Sequence, residues 1–381
     1  MEEGLIRSRR RGLLEHFAAI GDYRQPCKVM YPLPEVLLLV VGATIASCDD
    51  YDEIVAWGEA HLDFLRRFRA YHWGIPCEDW LRVVMNRIDP DLFSACFTAW
   101  AGELRPDAID LVAIDGKTSR RSHDRSKGKK ALHLVSAWAT NERLVLGQEA
   151  VEEKSNEITA IPVLLERLAL KGALVTIDAI GCNPTIAQAI NDAGADYLLA
   201  VKDNQPSLRG EMQSYFDAAP LDQLDTVTHL EKGHGRIETR RHVVSKTLDW
   251  MSGSRRYPGE PRFPNLATLG MVEATVEKAG AISTERRFYI SSADLTANRF
   301  ADGVRGHWTI ENQLHWVLDV QFKEDQSRLR TGHGAKNMAV VRHFAINLVR
   351  GANDKRSLKT RRKLAGWDTA YLDKLIHPSP C

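Results

Sequence analysis

The sequence has no segment long and apolar enough to cross a membrane. Its longest strongly apolar run, residues 36–46, contains 11 residues, whereas a helix that spans a bilayer needs about 20. The first residues, MEEGLIRSRRRG, are basic, but they do not lead into the apolar core and small-residue cleavage site of a signal peptide. We therefore expect neither a membrane span nor export, and we place the protein in the cytoplasm.

Cysteine is scarce, and its distribution excludes two common frameworks. The six cysteines are scattered along the chain. No two of them form a C-x-x-C pair, and no cluster of Cys and His has the spacing of a zinc finger. The sequence therefore favours a reduced protein without a structural metal.

An excess of charge of one sign is also lacking, because 51 Lys and Arg oppose 50 Asp and Glu. This average conceals two basic clusters. Residues 328–363 contain 11 Lys and Arg with one acid, and residues 117–130 contain seven with one acid. Either cluster is suited to contact phosphates, although a solvated surface would have the same composition.

Two kinds of pattern divide the chain. Residues 1–100 carry apolar residues at helical spacing, which predicts an N-terminal helical domain. From residue 109 onwards the pattern predicts strands at 109–115, 132–140 and 143–151, a helix at 157–170, a strand at 173–178, a helix at 184–193 and a strand at 196–201. This order is typical of the ribonuclease-H-like α/β fold, a mixed sheet with helices on its faces.

The rest of the chain adds to this plan. We assign residues 101–206 to the first part of the core. Residues 207–297 then read as one helix followed by a β-rich insertion, and residues 298–350 as helices that complete the core. Residues 351–381 form a basic tail.

Three acids are candidates for a metal site. Asp115 and Asp178 are predicted to end two strands that lie side by side in this fold, and Glu311 lies on a later helix. Carboxylate oxygens select Mg²⁺ or Mn²⁺, and two such ions about 3.5–4 Å apart can stabilise both oxygens of a phosphoryl displacement. Each acid also has an ordinary interpretation: a turn at Asp115, a cap at Asp178 and a helix surface at Glu311.

Other residues near Glu311 leave alternatives open. His307 and His315 lie one helical turn away on either side, where they would orient Glu311, contact phosphate or form a zinc site. Glu324 and Asp325 are further acids close by.

Several segments together resemble the DDE transposases of bacterial insertion sequences, in particular the group that includes the H-repeat-associated proteins. These segments are AIDGK, TIDAIG, DYLLAVKDNQ, GHGRIETR, RFYISS and HWTIENQLHWVLDVQFKED. The resemblance covers nearly the whole chain, including the helical domain ahead of the catalytic core. It departs from the Tyr-Arg-Glu-Lys signature of related transposases, where Val304, His307 and Leu318 stand in place of the partners of Glu311.

The resemblance implies a retroviral-integrase-type core in which Asp115, Asp178 and Glu311 are the catalytic metal ligands, with two Mg²⁺ or Mn²⁺ ions and no nucleotide cofactor. It also implies double-stranded DNA as partner, both terminal repeats and target, and a homodimer on DNA associated with the nucleoid. The residues expected to contact DNA are Lys117, Arg120, Arg121, Lys202, Asn204, Gln205, His234, Arg236, Arg240, Arg305 and His307.

The function implied is a transposase that cuts DNA at the ends of its element and joins the released 3′-hydroxyl to target DNA. Two other functions fit the same residues. One is a metal-dependent nuclease of this fold that performs no strand transfer, because fold does not fix function. The other is a noncatalytic DNA-binding remnant of a mobile element.

Overall fold

The fold is taken from a computed structural model, which describes residues 12–104, 108–123, 128, 130–151, 157–233, 235–251 and 262–377. His234, one of the expected DNA contacts, lies outside the described residues. Within the described ranges, no helix has the length and apolar character that a membrane span requires.

The region before the sheet is helical, where the spacing of apolar residues predicts it. Its helices are α1 (Leu13–Ala19), α2 (Leu33–Ile45), α3 (Tyr51–Ala60), α4 (Leu62–Leu65), α5 (Glu78–Arg87) and α6 (Pro90–Leu104). Helix α2 is apolar on nearly its whole circumference, so it is buried on all sides. The side chain of Asp50 caps α3 by accepting a hydrogen bond from the backbone N–H of Glu53 at 2.9 Å.

Nine strands form one continuous sheet in the order β3-β2-β1-β4-β5-β9-β8-β7-β6. Strands β1, β4 and β5 are parallel to one another, and the remaining neighbours are antiparallel. The strands are β1 (Leu111–Ser119), β2 (Leu132–Ala139), β3 (Leu144–Val151), β4 (Leu174–Ile177), β5 (Asp196–Val201), β6 (Asp225–Gly233), β7 (Arg236–Ser245), β8 (Thr268–Lys278) and β9 (Ala281–Ser291).

The β-rich insertion is part of this sheet. Strand β9 pairs with β5 from Val201↔Phe288 to Leu198↔Ser291, so the insertion extends the core sheet by four strands. The sequence patterns predict β7, β8 and β9 but not β6. Strand β6 is an edge strand whose residues, DTVTHLEKG, are mostly polar and largely exposed, and it therefore lacks the apolar run by which a buried strand is predicted.

Helices cover both faces of the sheet. Helices α7 (Glu157–Glu166), α8 (Pro184–Asp192) and α9 (Pro206–Ala218) pack on one face, and α10 (Ala297–Thr309) packs on the other. A π-helix, Ile310–His315, continues α10 into α11 (Trp316–Gln321). Helix α12 (Gly334–Arg350) shares a hydrophobic core with the N-terminal helices, where Phe344 packs against four aromatic rings, those of Phe17, Phe93, Phe97 and Trp100.

The basic tail contains two helices that the sequence patterns do not predict, α13 (Leu358–Trp367) and α14 (Thr369–Ile376). Arg362 of α13 is buried, and it donates a hydrogen bond to the carbonyl oxygen of Thr44 at 2.8 Å. Its guanidinium also lies 3.9 Å from the ring centroid of Phe322. Part of the basic cluster in this region is therefore structural.

Candidate active site

Asp115 lies in the middle of β1, although the sequence pattern predicts it at the end of a strand. The strand continues to Ser119 because residues 115–119 pair with β2. The pairing between β1 and β4 stops at Ile114↔Ile177. Asp115 is therefore the first residue of β1 that, among the described residues, is no longer paired with β4.

Asp178 follows directly after β4, as predicted. Its carboxylate caps the short 3₁₀ helix Ala179–Gly181 by accepting a hydrogen bond from the backbone N–H of Ile180 at 3.0 Å. Because Ile114 and Ile177 are paired neighbours, Asp115 and Asp178 are the next residues on two adjacent parallel strands. Such strands lie about 4.8 Å apart, so the two carboxylates start from neighbouring backbone positions.

Asn204 and Gln205 support the loop that follows Asp178. The Asn204 amide donates to the carbonyl oxygen of Ala179 at 2.6 Å, and the Gln205 amide donates to that of Cys182 at 3.1 Å. Both side chains therefore bind protein carbonyl groups in this structure.

Glu311 lies on the π-helix Ile310–His315. Ile310 and Leu314 are buried in the helical core and anchor this segment, whereas Glu311 is exposed. A π-helix widens one helical turn, and such turns occur frequently at functional sites. The sequence predicts a helix here, but apolar spacing alone does not reveal the π turn.

Several acids act electrostatically on Asp115. Burial raises its pKa to about 7, and the carboxylates of Asp178, Glu157 and Glu311 add to this rise. The hydrogen bond from the backbone N–H of Gly116, at 2.8 Å, acts in the opposite direction. Three carboxylates, one after β4, one on α7 and one on the π-helix, are thus close enough to act on Asp115 of β1.

The two histidines beside Glu311 take different places. His315 is buried, with its Nδ1 3.5 Å from Oδ2 of Asp115, and burial lowers its pKa to about 3. His307 Nδ1 lies 3.2 Å from the hydroxyl of Thr176, and burial lowers the pKa of His307 as well. His315 is therefore neutral at pH 7 and adds no positive charge to offset Asp115.

Lys117 is enclosed by acids. Its Nζ lies 2.7 Å from Asp319, 2.7 Å from Glu324 and 3.7 Å from Asp325, and its side chain is only 10% exposed. Glu324 is buried, and although burial opposes ionisation, the charges of Lys117 and Arg342 hold its pKa below the ordinary value. These ion pairs connect the strand that carries Asp115 to α11 and to the residues that follow it.

The other expected DNA contacts lie in two places. Arg120, Arg121 and Lys202 are exposed. Arg236, Arg240 and Arg305 line a cleft of about 830 Å³ between the insertion and α10, together with Trp308. These three arginines form ion pairs with two acids of the insertion, Glu231 and Glu238.

The donor set suits a hard divalent cation. All four acids offer carboxylate oxygens, and bound positive charge would relieve the repulsion that the other three exert on Asp115. As the side chains stand, no three His, Cys, Asp or Glu residues in the described part of the chain form a group that could hold a metal ion. Binding would thus require the carboxylates to draw closer together.

Glu157 is the acid that the sequence analysis missed. It begins α7, and an acid in the first turn of a helix is an ordinary complement to the helix dipole. No local signal distinguishes it from such a residue, because its neighbours at the site come from β1 and β2.

Comparison with known proteins identifies the family. A family model described as "Transposase DDE domain" matches residues 106–348, and one described as "DDE_Tnp_1-associated" matches residues 14–101. The chain belongs to the DDE transposase family. The resemblance that the sequence motifs indicate is thereby confirmed.

Two named relatives of this DDE transposase family member span nearly its whole length, and a third matches a short segment. The "H repeat-associated putative transposase YhhI" of Escherichia coli K12 is 39% identical over 374 residues, which cover 96% of this chain and 97% of the relative. The "Putative transposase YncI" of Escherichia coli O157:H7 is 39% identical over 369 residues, covering 96% and 94%. The "Inactive transposase YbfQ" of Escherichia coli K12 is 37% identical over 75 residues, covering 20% and 89%.

One solved structure, a piggyBac transposase synaptic complex with hairpin DNA, is similar with a TM-score of 0.40 and 10% identity. The structural alignment covers 96% of this chain and 78% of the piggyBac transposase chain. A similarity this low bears on neither the fold nor the function.

Proposed function

We propose that this protein is an insertion-sequence transposase that cuts DNA at the ends of its element and joins the resulting 3′-hydroxyl to target DNA. Family membership supports the assignment to transposition. The observation that carries the chemistry is the set of carboxylates from separate elements whose charges act on Asp115. We further propose that strands β1 to β5 with helices α7, α8 and α10 form a ribonuclease-H-like core.

Asp115, Asp178 and Glu311 would hold two divalent cations, Mg²⁺ or Mn²⁺, which supply activation of water and stabilisation of charge on the scissile phosphate. The protein's own residues set the geometry. The backbone N–H of Gly116 orients Asp115, and the Ile180 N–H orients Asp178. Asn204 and Gln205 brace the loop after Asp178, so we assign them a positioning role.

Exposed cations around these acids are suited to hold the DNA backbone. Arg120 is 83% exposed and lies five residues after Asp115 on the chain. We propose that Arg120, Arg121 and Lys202 contact phosphates near the carboxylates. We propose that Arg236, Arg240 and Arg305 do so at the cleft beside α10, by exchanging their present partners for DNA. Lys117 and His307 are engaged by protein groups, and we assign them to positioning.

Two DNA ends have to meet for transposition, so we expect a homodimer on DNA. The experiment is a cleavage and joining assay with DNA that carries the terminal repeats of the element, in Mg²⁺ or Mn²⁺. Asp115→Asn, Asp178→Asn and Glu311→Gln should each lower cleavage at least about 100-fold. Binding of the same DNA, measured by gel shift, should persist.

A matched control is Asp302→Asn, because Asp302 is an exposed acid on the helix that leads to Glu311. This variant should cleave as the wild type does. Cleavage at wild-type rates by Asp115→Asn or Asp178→Asn would refute the assigned site. Cleavage without joining of the 3′-hydroxyl to a second duplex would identify a nuclease instead.

A further inference from the structure

The carboxylate of Glu157 is buried beside β1, although it belongs to the first residue of a helix. The residue is 4% exposed, and Glu is almost never fully buried unless it is paired. Its partner is His133 of β2, whose Nε2 lies 2.6 Å from Oε1 of Glu157. His133 is itself buried, and its other ring nitrogen, Nδ1, lies 2.7 Å from the hydroxyl of Thr118. Both ring nitrogens of His133 are thus held.

Glu157 and His133 meet β1 at Gly116, the residue that follows Asp115. Successive residues of a strand point to opposite faces, so Asp115 and Gly116 belong to opposite faces of β1. A Cβ atom at Gly116 would lie closer than 3.0 Å to both Oε1 of Glu157 and Nε2 of His133. Because glycine has no side chain, the carboxylate of Glu157 can reach the strand at the residue next to Asp115.

This placement distinguishes Glu157 from an ordinary acid at the start of a helix. An acid in the first turn of a helix would be stabilised by the helix dipole while fully exposed to solvent. In this fold the carboxylate is instead buried, and it lies against β1 at Gly116, the residue next to Asp115.

We propose that Glu157 is a fourth acidic residue of the active site, held by His133 beside Asp115 so that it contributes to binding of divalent cations. The hydrogen bond with His133 uses Oε1 and leaves Oε2 outside it. The inference rests on the proposed function, because it assumes that Asp115, Asp178 and Glu311 bind the cations. It adds a residue from α7 to a site that the sequence motifs build from three.

The test is Mn²⁺ binding to the full-length protein without DNA, measured by isothermal titration calorimetry, beside thermal unfolding in EDTA. Glu157→Gln should weaken Mn²⁺ binding about 10- to 100-fold. Its melting temperature in EDTA should equal or exceed that of the wild type, because Gln keeps an acceptor for His133 and removes one repelling charge. Glu166→Gln is the matched control, since Glu166 is exposed at the other end of α7, and it should bind Mn²⁺ as the wild type does.

Wild-type Mn²⁺ affinity in Glu157→Gln would overturn the proposal, and a lower melting temperature with unchanged affinity would show a structural role only. Failure of the wild type itself to bind Mn²⁺ would instead overturn the cation site and the proposed chemistry. A second pair of variants covers the case in which Glu157→Gln does not fold. His133→Ala should lose affinity, and His133→Gln, which retains a donor for Glu157, should recover most of it. Equal affinity of this pair with the wild type would also reject the proposal.

Discussion

Replacing Asp115 by Asn should stabilise the cation-free protein, and more so at high pH than at low pH. Burial and the neighbouring acids raise the pKa of Asp115 from 3.8 to about 7. The folded state therefore binds this proton more tightly than the unfolded chain does. Ionisation of Asp115 consequently lowers the free energy of unfolding as the pH rises from about 4 to about 7. Asparagine carries no charge and keeps an oxygen for the Gly116 N–H, so it removes this loss.

The magnitude follows from the shift. A pKa shift of three units corresponds to about 4 kcal/mol of free energy of unfolding. Because the side chain of Asp115 is 27% exposed, solvent screening reduces the stabilisation expected for Asp115→Asn at pH 8 to about 2–4 kcal/mol. At pH 5 only about one pH unit separates the solution from the pKa of Asp115 in the unfolded chain, so the stabilisation by Asn is about 1 kcal/mol. For 381 residues that unfold as one unit, the entropy of unfolding is about 0.8 kcal/mol/K, so the melting temperature should rise by about 3–5 °C at pH 8 and about 1–2 °C at pH 5.

The assay is thermal unfolding in EDTA at both pH values. Asp222→Asn is a suitable control, because Asp222 is exposed in the short helix Leu221–Gln223, and its melting temperature should match the wild type at both. Equal shifts of Asp115→Asn at pH 5 and pH 8, or a destabilisation at pH 8, would refute the claim that burial and the neighbouring acids raise the pKa of Asp115.

Three further substitutions test the packing around the site. Gly116→Ala should cost about 1–3 kcal/mol of stability and reduce cleavage, because the added methyl group would overlap the Glu157 carboxylate; unfolding and cleavage assays check both effects. Lys117→Ala should cost about 3–5 kcal/mol in denaturant unfolding, because it leaves the buried carboxylate of Glu324 with a weaker partner at 3.7 Å. Phe344→Ala should cost about 3–5 kcal/mol, because this ring is fully buried between the N-terminal helices and α12.

Each of these substitutions has a control in the chain. Gly102→Ala adds a methyl group where no atom lies within 4 Å, and it should not destabilise the protein. Arg120→Ala should weaken DNA binding while leaving the melting temperature unchanged, which is the reverse of the result expected for Lys117→Ala. Leu92→Ala removes a side chain that is 54% exposed, so a loss as large as that of Phe344→Ala would contradict the assigned core.

Patterns in the sequence predict the elements of the site better than its contacts. Asp178 could be placed at a strand end because β4 is a short buried run that stops before a turn. The sequence pattern predicts Asp115 at the end of β1, because the residues after it are polar, whereas pairing with β2 continues the strand to Ser119. The basic residues around Lys117 predict a DNA surface, but its acidic partners Asp319 and Glu324 lie about 200 residues away along the chain. Ion pairs between such distant residues give no signal in the local sequence.

The same limit applies to Glu157 and to the tail. Glu157 has the position of an ordinary helix-start acid, and only the fold turns it towards β1. Helix α13 is rich in basic residues, and α14 has only eight residues, so apolar spacing is hard to recognise in either helix. Both nevertheless contain buried apolar residues, among them Ala365, Leu372 and Leu375. Apolar spacing predicts a helix around Glu311, but it gives no signal for the π turn that the structure shows there.

The pairing of β9 with β5 fixes the distance between the insertion and the carboxylates. Strand pairing is continuous from the edge strand β6 to β1. The insertion is therefore part of the core sheet and is not a separate domain on a flexible linker. DNA gripped by the arginines of the insertion would meet Asp178 at a spacing set by the sheet. The sheet would then determine the distance between the bound DNA segment and the cutting position. Lengthening β5 or β9 would move the cut along the DNA.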